Sequence, residues 1–118
     1  MSVPMVTFLG MRRQTLIDPR GRQWRVDVPV GRRERMRGLR DRGWLAPDHA
    51  LLLQGCRSVH TFGMRFPIAV VFLDARQRVV AVRRTPPARV LLPRMRARHV
   101  LECPVDTDLR PGDRLTDR

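Results

Sequence analysis

The chain has 118 residues, which is enough for one domain with a buried core and too few for two. Apolar residues make up 42% of it, a composition typical of a globular protein rather than a disordered one. The formal net charge is +13, and all 24 basic residues are arginine. A GC-rich genome explains arginine in place of lysine, but it does not explain the excess of positive charge.

The two cysteines and the first residues bear on where the protein works. Cys56 and Cys103 do not form the dense cysteine pattern of a small disulfide-stabilised secreted domain. The apolar run at the start precedes Arg12 and Arg13, whereas a secretory signal has its positive charges first. No segment of the sequence approaches the roughly 20 apolar residues of a membrane span. We therefore expect a cytoplasmic protein with reduced thiols, and periplasmic export is the alternative.

The first predicted structure along the chain is a β-hairpin over residues 14–30. The stretches QTLID and WRVDVPV have the character of strands, and Asp18-Pro19-Arg20-Gly21 between them is typical of a tight turn. The apolar residues of the second strand share one face by alternation. They are Trp24, Val26, Val28 and Val30.

A helix is predicted immediately after the hairpin. Glycines bracket residues 31–43, GRRERMRGLRDRG, and Met36 and Leu39 lie three residues apart, as on the apolar stripe of a helix. We therefore expect one short helix near residues 32–42. Its stability would depend on packing against the rest of the domain.

From residue 50 onward the sequence reads as short strands separated by turn residues. Ile68 to Leu73 is an uninterrupted apolar run, the pattern of a strand buried on both faces. Pro111-Gly112-Asp113 predicts a tight turn before the last strand. The predicted strands are Ala50–Leu53, Ser58–Met64, Ile68–Leu73, Arg78–Arg83, Val90–Leu92, His99–Cys103 and Arg114–Thr116. We therefore predict a mainly β single domain over residues 1–118, either a β-sandwich or a partly closed barrel.

Residues 56–74, CRSVHTFGMRFPIAVVFLD, are dense in side chains that carry chemistry. In an extended chain successive side chains point to opposite faces. One face of this stretch would then carry Cys56, Ser58, His60, Phe62, Met64 and Phe66. The pattern predicts a site without naming a reaction.

The order of the motifs resembles that of a known family. A segment with RMRGL is followed by a leucine-rich strand, then by SVHTFGMRFPIAVVFLD, VLECP and PGD. This order is similar to that of the domain of unknown function 192 family over roughly residues 20–116, with FGMRFPI and VVFLD as the most specific part. The resemblance implies a small, mostly β, single-domain protein. No biochemical activity is established for that family, so the resemblance implies a fold rather than a reaction.

Two positions depart from the family pattern. The family usually has an aspartate after the PI pair, where this chain has Ala69. Many members have GLM in the helix, where Arg40 follows Gly38 and Leu39 here. Asp74 does match the family, and at the end of a strand it is expected to cap a turn.

Our preferred hypothesis is a non-enzymatic binding or accessory domain with a pocket for a small ligand. The mouth of a barrel or sandwich can hold such a pocket, and the strand over residues 58–64 would line it. Arg65 and Arg40 would anchor a carboxylate or a phosphate. No cofactor is predicted, and the partner is an unknown small ligand or a protein. The ligand-binding residues under this hypothesis are His60, Phe62, Met64 and Arg65.

The arginine clusters support an alternative hypothesis, binding to nucleic acid. Residues 32–42 hold six arginines against two acids, and residues 83–98 hold six arginines and no acid. Two basic clusters on a compact barrel would form a groove for a phosphate backbone. Weak nonspecific binding to polyanions is expected even from a merely solvated surface. The residues assigned under this alternative are Arg33, Arg37, Arg40, Arg94, Arg96 and Arg98.

A third hypothesis is a soft-metal site, because cysteine, histidine and methionine together suit Cu(I). The candidate ligands are Cys56, His60, Met64, His99 and Cys103. Side chains four residues apart on one strand lie about 13 Å apart, so a cross-strand pair is easier to form. A disulfide between the cysteines and a nucleophilic cysteine activated by histidine are further options. No phosphate loop, paired-carboxylate motif or catalytic-triad signature is present in the sequence, so an enzyme is the less favoured interpretation.

Overall fold

The computed structural model describes residues 11–31, 45–56, 59–60, 66–86, 90–91 and 96–117. These residues form strands, turns and loops, which confirms the predicted mainly β class. The helix predicted near residues 32–42 lies outside them. The strands are β1 (Met11–Ile17), β2 (Gln23–Pro29), β3 (His49–Gln54), β4 (Val59–His60), β5 (Ile68–Leu73), β6 (Val79–Thr85), β7 (Val90–Leu91), β8 (His99–Pro104) and β9 (Thr116–Asp117). In this described part of the chain, no helix has the length and apolar character needed to cross a membrane.

The predicted hairpin is present as β1 and β2, which pair antiparallel along their whole length. The carboxylate Oδ1 of Asp18 accepts hydrogen bonds from the backbone N–H groups of Arg20 and Arg22 at 2.9 and 3.1 Å. Gly21 has a φ of 86°, a conformation that favours glycine. The turn chemistry read from the sequence is therefore what forms this hairpin. Trp24, Val26 and Val28 are buried as expected, whereas Val30 lies beyond the end of β2 and is exposed.

Seven strands form one sheet in the order β6-β5-β8-β3-β2-β1-β9. Neighbouring strands are antiparallel except for β2 and β3, which are parallel. A parallel pair needs a long connection, and residues 30–48 supply it. All six residues of β5 are buried, as the uninterrupted apolar run predicted.

The sheet has buried side chains on both faces, which we call the inner and the outer face. Alternate residues of β3, β5 and β8 contribute to one face and then to the other. The inner cluster consists of Leu16, Trp24, Val26, Val28, Ala50, Leu52, Ala69, Val71, Leu73, Val79, Leu101, Cys103, Leu109 and Leu115. The outer cluster consists of Leu45, Leu51, Leu53, Ile68, Val70, Phe72, Ala97 and Val100.

The C-terminal segment joins the two edges of the seven-stranded sheet. Arg114 pairs with Arg78 at the start of β6 in an antiparallel bridge, and the N–H of Val79 donates to the carbonyl of Asp113 at 2.7 Å. Two residues further on, β9 pairs with β1 at the opposite edge. The sheet therefore curls into a partly closed barrel, one of the two predicted architectures. The predicted turn at Pro111-Gly112-Asp113 is present at the start of this closure.

The remaining two strands, β4 and β7, form a separate sheet. Val59 pairs with Leu91, and His60 pairs with Val90. This pairing brings the strand that contains His60 next to the arginine-rich stretch at residues 83–98. The two stretches that the sequence assigned to competing functions are thus neighbours in the fold.

Candidate functional site

The ligand site predicted from the sequence lies largely outside the described residues. Phe62, Met64 and Arg65 belong to the stretch at 61–65, which is not among them. The structure locates His60 through its backbone, which pairs with Val90. The pocket lined by these side chains therefore stays a prediction.

Two of the arginines predicted to bind nucleic acid are described, and both are exposed. Arg98 lies just before β8, where its backbone N–H donates to the carbonyl of Leu73 at 2.7 Å. Its Nη1 donates to the neighbouring carbonyl of Ala97 at 3.1 Å, and Arg96 lies in the turn before it. The other four residues of this prediction lie outside the described residues. They are Arg33, Arg37, Arg40 and Arg94.

The two cysteines are not joined in a disulfide, and they belong to different faces of the sheet. Cys103 is fully buried in the inner cluster, and burial raises the pKa of its thiol far above the ordinary value. A thiol held protonated in this way is a poor nucleophile and a poor source of a metal-binding thiolate. Cys56 is partly buried and packs against the outer cluster. These positions favour neither the disulfide nor a metal site shared by the two sulfur atoms.

His99, another candidate metal ligand, already has a structural partner. Its Nδ1 accepts a hydrogen bond from the backbone N–H of Gly55 at 3.0 Å, which links β8 to the end of β3. Burial and the neighbouring Arg98 both lower the pKa of the imidazole, so the neutral form is favoured. Among the residues that the structure describes, no three histidine, cysteine or acidic side chains are close enough together to hold a metal ion. The candidate ligand Met64 lies outside this part of the chain.

Glu102 is the candidate functional residue that the sequence analysis missed. It lies in β8, within the VLECP motif, and only 2% of its surface is exposed. Its register partners are Leu51 on β3 and Val70 on β5, both buried on the outer face. Three adjacent strands thus place a carboxyl group between two aliphatic side chains near the middle of the sheet. No described residue forms a hydrogen bond or an ion pair with this carboxyl.

Burial raises the pKa of Glu102 from its ordinary 4.5 to about 7. The cause is desolvation, which disfavours the charged form of a carboxyl. A group with this pKa exists in both protonation states near neutral pH. It donates a hydrogen bond when protonated and accepts hydrogen bonds when ionised. Glu102 therefore places, beside the apolar outer cluster, a polar group whose hydrogen bonding changes with pH.

A second group of charged residues, at the β1–β2 turn, has a structural explanation. The buried Asp18 carboxylate accepts a hydrogen bond from Trp24 Nε1 at 3.2 Å, in addition to the two turn N–H groups. Arg20 reaches from the same turn to Asp113, with nitrogen–oxygen distances of 2.7 and 3.3 Å. This hydrogen bond lowers the pKa of the Asp113 carboxyl. Arg22 lies over the ring of Trp24, 4.6 Å from its centroid. The contacts hold the turn against the closing C-terminal segment.

Comparison with known proteins supports the resemblance seen in the motifs. The family model of domain of unknown function 192, described as an uncharacterised ACR, matches residues 15–116. The chain belongs to the domain of unknown function 192 family. The UPF0127 protein of Pyrococcus horikoshii is 45% identical over 62 residues, which cover 49% of this chain and 54% of that protein. The match therefore spans about half the length of this relative.

Two solved structures are similar to this member of the family along most of their length. A protein of unknown function from Novosphingobium aromaticivorans has a TM-score of 0.76 at 17% identity, covering 98% of this chain and 93% of its own. This likeness shows the fold alone. A proposed transcription regulator from Sinorhizobium meliloti 1021 has a TM-score of 0.76 at 25% identity. That match covers 89% of this chain and 92% of the Sinorhizobium protein.

The structure also locates the position where this chain departs from the family pattern. Ala69 is fully buried in the inner cluster and pairs with Cys103. An aspartate there would lie on the inner face, whereas Glu102 lies on the outer face. The alanine thus leaves the inner face apolar at this point and does not alter the surroundings of Glu102. Asp74 caps the turn after β5 as expected, because its Oδ1 accepts hydrogen bonds from the N–H groups of Arg76 and Arg78 at 2.8 and 2.9 Å.

Proposed function

We propose that this chain is a non-enzymatic binding domain whose small ligand contacts the outer face of the sheet around Glu102. The observation that carries the proposal is a buried carboxyl whose register partners on both neighbouring strands, Leu51 and Val70, are buried aliphatic residues. Burying a carboxyl among aliphatic side chains costs free energy that another aliphatic side chain would not cost. Residues that lower stability in this way are characteristic of sites where the polar group is used.

The charge of the protein favours an acidic small molecule as the ligand. The net charge of +13 attracts anions, and the protonated form of Glu102 can donate a hydrogen bond to a carboxylate or phosphate oxygen. The arginine-rich stretch at residues 83–98 lies beside the strand that contains His60. These groups fit the kind of anionic ligand that Arg65 and Arg40 would anchor.

Native mass spectrometry of protein purified from a bacterial cytosol through a high-salt wash tests this proposal. We expect wild type to carry a discrete extra mass at pH 6 and to lose it at pH 8, because ionised Glu102 repels an anion. Glu102→Gln should keep the extra mass at both pH values, since an amide still donates a hydrogen bond. Glu102→Leu should lose it at both. Two results would contradict the proposal. One is wild-type protein without any added mass at pH 6, and the other is Glu102→Leu with the same added mass as wild type.

A second candidate function is nucleic-acid binding. It is favoured by the similarity to the proposed transcription regulator of Sinorhizobium meliloti and by the exposed arginines. Fluorescence anisotropy with labelled DNA should then show a logarithm of affinity that falls linearly with the logarithm of salt concentration. Reversing the charge at Arg94 and Arg96 should weaken this binding and leave the small-molecule adduct in place. Absence of binding at about 100 mM salt would reject this candidate function.

A further inference from the structure

Two arginines lie directly opposite each other where the C-terminal segment meets the start of β6. Arg78 and Arg114 form an antiparallel bridge, and both are exposed. Their neighbours Val79 and Leu115 belong to the inner cluster, so alternation puts the two arginine side chains on the opposite side. Like charges directly opposite each other destabilise a sheet. This pair therefore lowers stability unless an anion binds beside it.

Two further exposed arginines lie at the same corner of the sheet. Arg76 is in the turn between β5 and β6, two residues before Arg78. Arg98 is next to this turn, because its N–H donates to the carbonyl of Leu73, the last residue of β5. We call Arg76, Arg78, Arg98 and Arg114 the basic corner.

The two acids near the basic corner are hydrogen-bonded to other groups, although the charge of Asp74 also acts on Arg76 and Arg78. The Oδ1 of Asp74 accepts the two backbone N–H groups of the β5–β6 turn. Asp113 lies next to Arg114 in sequence, but its carboxylate binds the guanidinium of Arg20. Within the described part of the chain, no ion pair engages any of the four guanidinium groups of the basic corner. The corner therefore presents four arginines to solvent, with the charge of Asp74 opposing those of Arg76 and Arg78.

We propose that the basic corner binds the phosphodiester backbone of a nucleic acid, an inference that rests on the second candidate function. The four arginines spread over β8, the β5–β6 turn and the C-terminal segment, a width of about 14 Å at the usual strand spacing. Four arginines over this width give about one positive charge for every 3.5 Å, and each strand of duplex DNA carries one negative charge for about every 3.4 Å of its axis. An extended acidic peptide presents a carboxylate to one side only about every 7 Å. The density of positive charge thus matches a nucleic acid better than a peptide.

The side chains around the corner also argue for phosphate and against a lipid surface. A guanidinium group binds a phosphate through two parallel hydrogen bonds, and every cation of the corner is an arginine. Stable binding to a membrane surface needs a second contribution beside a basic patch, such as apolar side chains that insert among the lipids. Among the described residues, the large apolar side chains that are exposed are Val30 and Val105, and neither belongs to the corner.

The test compares two double variants that lose the same net charge. Arg78→Gln with Arg114→Gln removes the facing pair, and Arg25→Gln with Arg83→Gln removes two exposed arginines outside the corner. Anisotropy with a short labelled DNA duplex should show the corner variant binding about tenfold more weakly than the control variant. Its slope of log affinity against log salt should be shallower by about 1.8, since each lost phosphate contact contributes about 0.9. Its melting temperature should not fall, because removing the like-charge pair relieves repulsion.

The outcomes separate the basic corner from the function on which it depends. Equal losses of DNA affinity in both double variants would show that the basic corner is not the binding site, and nucleic-acid binding itself would stand. A wild-type protein that does not bind the duplex would overturn both. Poly-glutamate that binds as tightly as the duplex, with the same dependence on Arg78 and Arg114, would overturn the choice of nucleic acid.

Discussion

Glu102→Gln is expected to raise the free energy of unfolding by about 3 kcal/mol at pH 8 and to change it little near pH 4. The pKa of Glu102 is about 7 in the folded protein, against 4.5 for the ordinary group. Between these values the folded state binds more protons than the unfolded state, so stability falls as pH rises. The loss of stability is complete once the pH exceeds the pKa of Glu102 in the folded protein. Glutamine has a similar shape and does not ionise, so the variant escapes this loss.

Urea unfolding of both proteins across this pH range measures the difference directly. The difference in the free energy of unfolding between Glu102→Gln and wild type should grow between pH 4.5 and 7 and stay constant above pH 7. Asp106→Asn is the matched control, because Asp106 is an exposed acid whose replacement should change the free energy of unfolding by less than about 0.5 kcal/mol. Stability curves for wild type and Glu102→Gln that run parallel from acid to base would show that Glu102 titrates normally.

Asp18→Ala is expected to be the most destabilising replacement of a polar residue, at about 3 to 4 kcal/mol. The side chain of Asp18 is fully buried and accepts hydrogen bonds from Arg20 N–H, Arg22 N–H and Trp24 Nε1. Removing it leaves these donors without their acceptor and takes away the negative charge beside the Arg20 guanidinium. The turn and the C-terminal segment that Arg20 holds through Asp113 should loosen together.

Asp106→Ala is the control for this prediction, because Asp106 is exposed and its replacement should change the free energy of unfolding by less than about 0.5 kcal/mol. Asp18→Asn should lie between the two, since an amide oxygen still accepts hydrogen bonds but lacks the charge. Urea denaturation at neutral pH gives all three values. A loss below about 1 kcal/mol for Asp18→Ala would mean that the turn does not depend on this carboxylate.

Local patterns in the sequence were sufficient for much of the fold. The first hairpin follows from turn residues at Asp18 to Gly21 and from alternating apolar residues in β2. The strand Ile68–Leu73 follows from its apolar run, and its burial on both faces follows from the same run. The cap at Asp74 and the turn before Arg114 are likewise decided within a few residues. The turns depend on contacts between near neighbours in the chain. The strand Ile68–Leu73 is recognisable from its apolar run, although it pairs with the distant strand β8.

The features that local patterns missed depend on pairing between distant segments. Alternation along VLECP puts Glu102 on the other face of its strand from Leu101 and Cys103. This pattern alone would predict a carboxylate that faces solvent. Its burial arises because β8 lies between β3 and β5 in a sheet with both faces covered. The facing pair at Arg78 and Arg114 arises from the closure of the sheet by the C-terminal segment. No periodicity within one segment contains this information.

The two proposed sites are separate, so they can be tested independently. Glu102 lies on the outer face, on strand β8 between β3 and β5. The basic corner lies at the ends of strands, where Arg98 meets the β5–β6 turn and Arg114 meets Arg78. A change at one site should therefore leave the binding measured at the other unchanged.

The most direct test of the proposed ligand site is the titration of the Glu102 carboxyl itself. Carbon-13 NMR of protein labelled at glutamate side-chain carboxyls can follow this group, and its signal is assigned by its absence in Glu102→Gln. We predict a midpoint at about pH 7, as expected for a carboxyl that is desolvated by burial on the outer face. A midpoint near 4.5 would contradict this, because Glu102 would then be solvated or paired and would supply no adjustable polar group to a ligand.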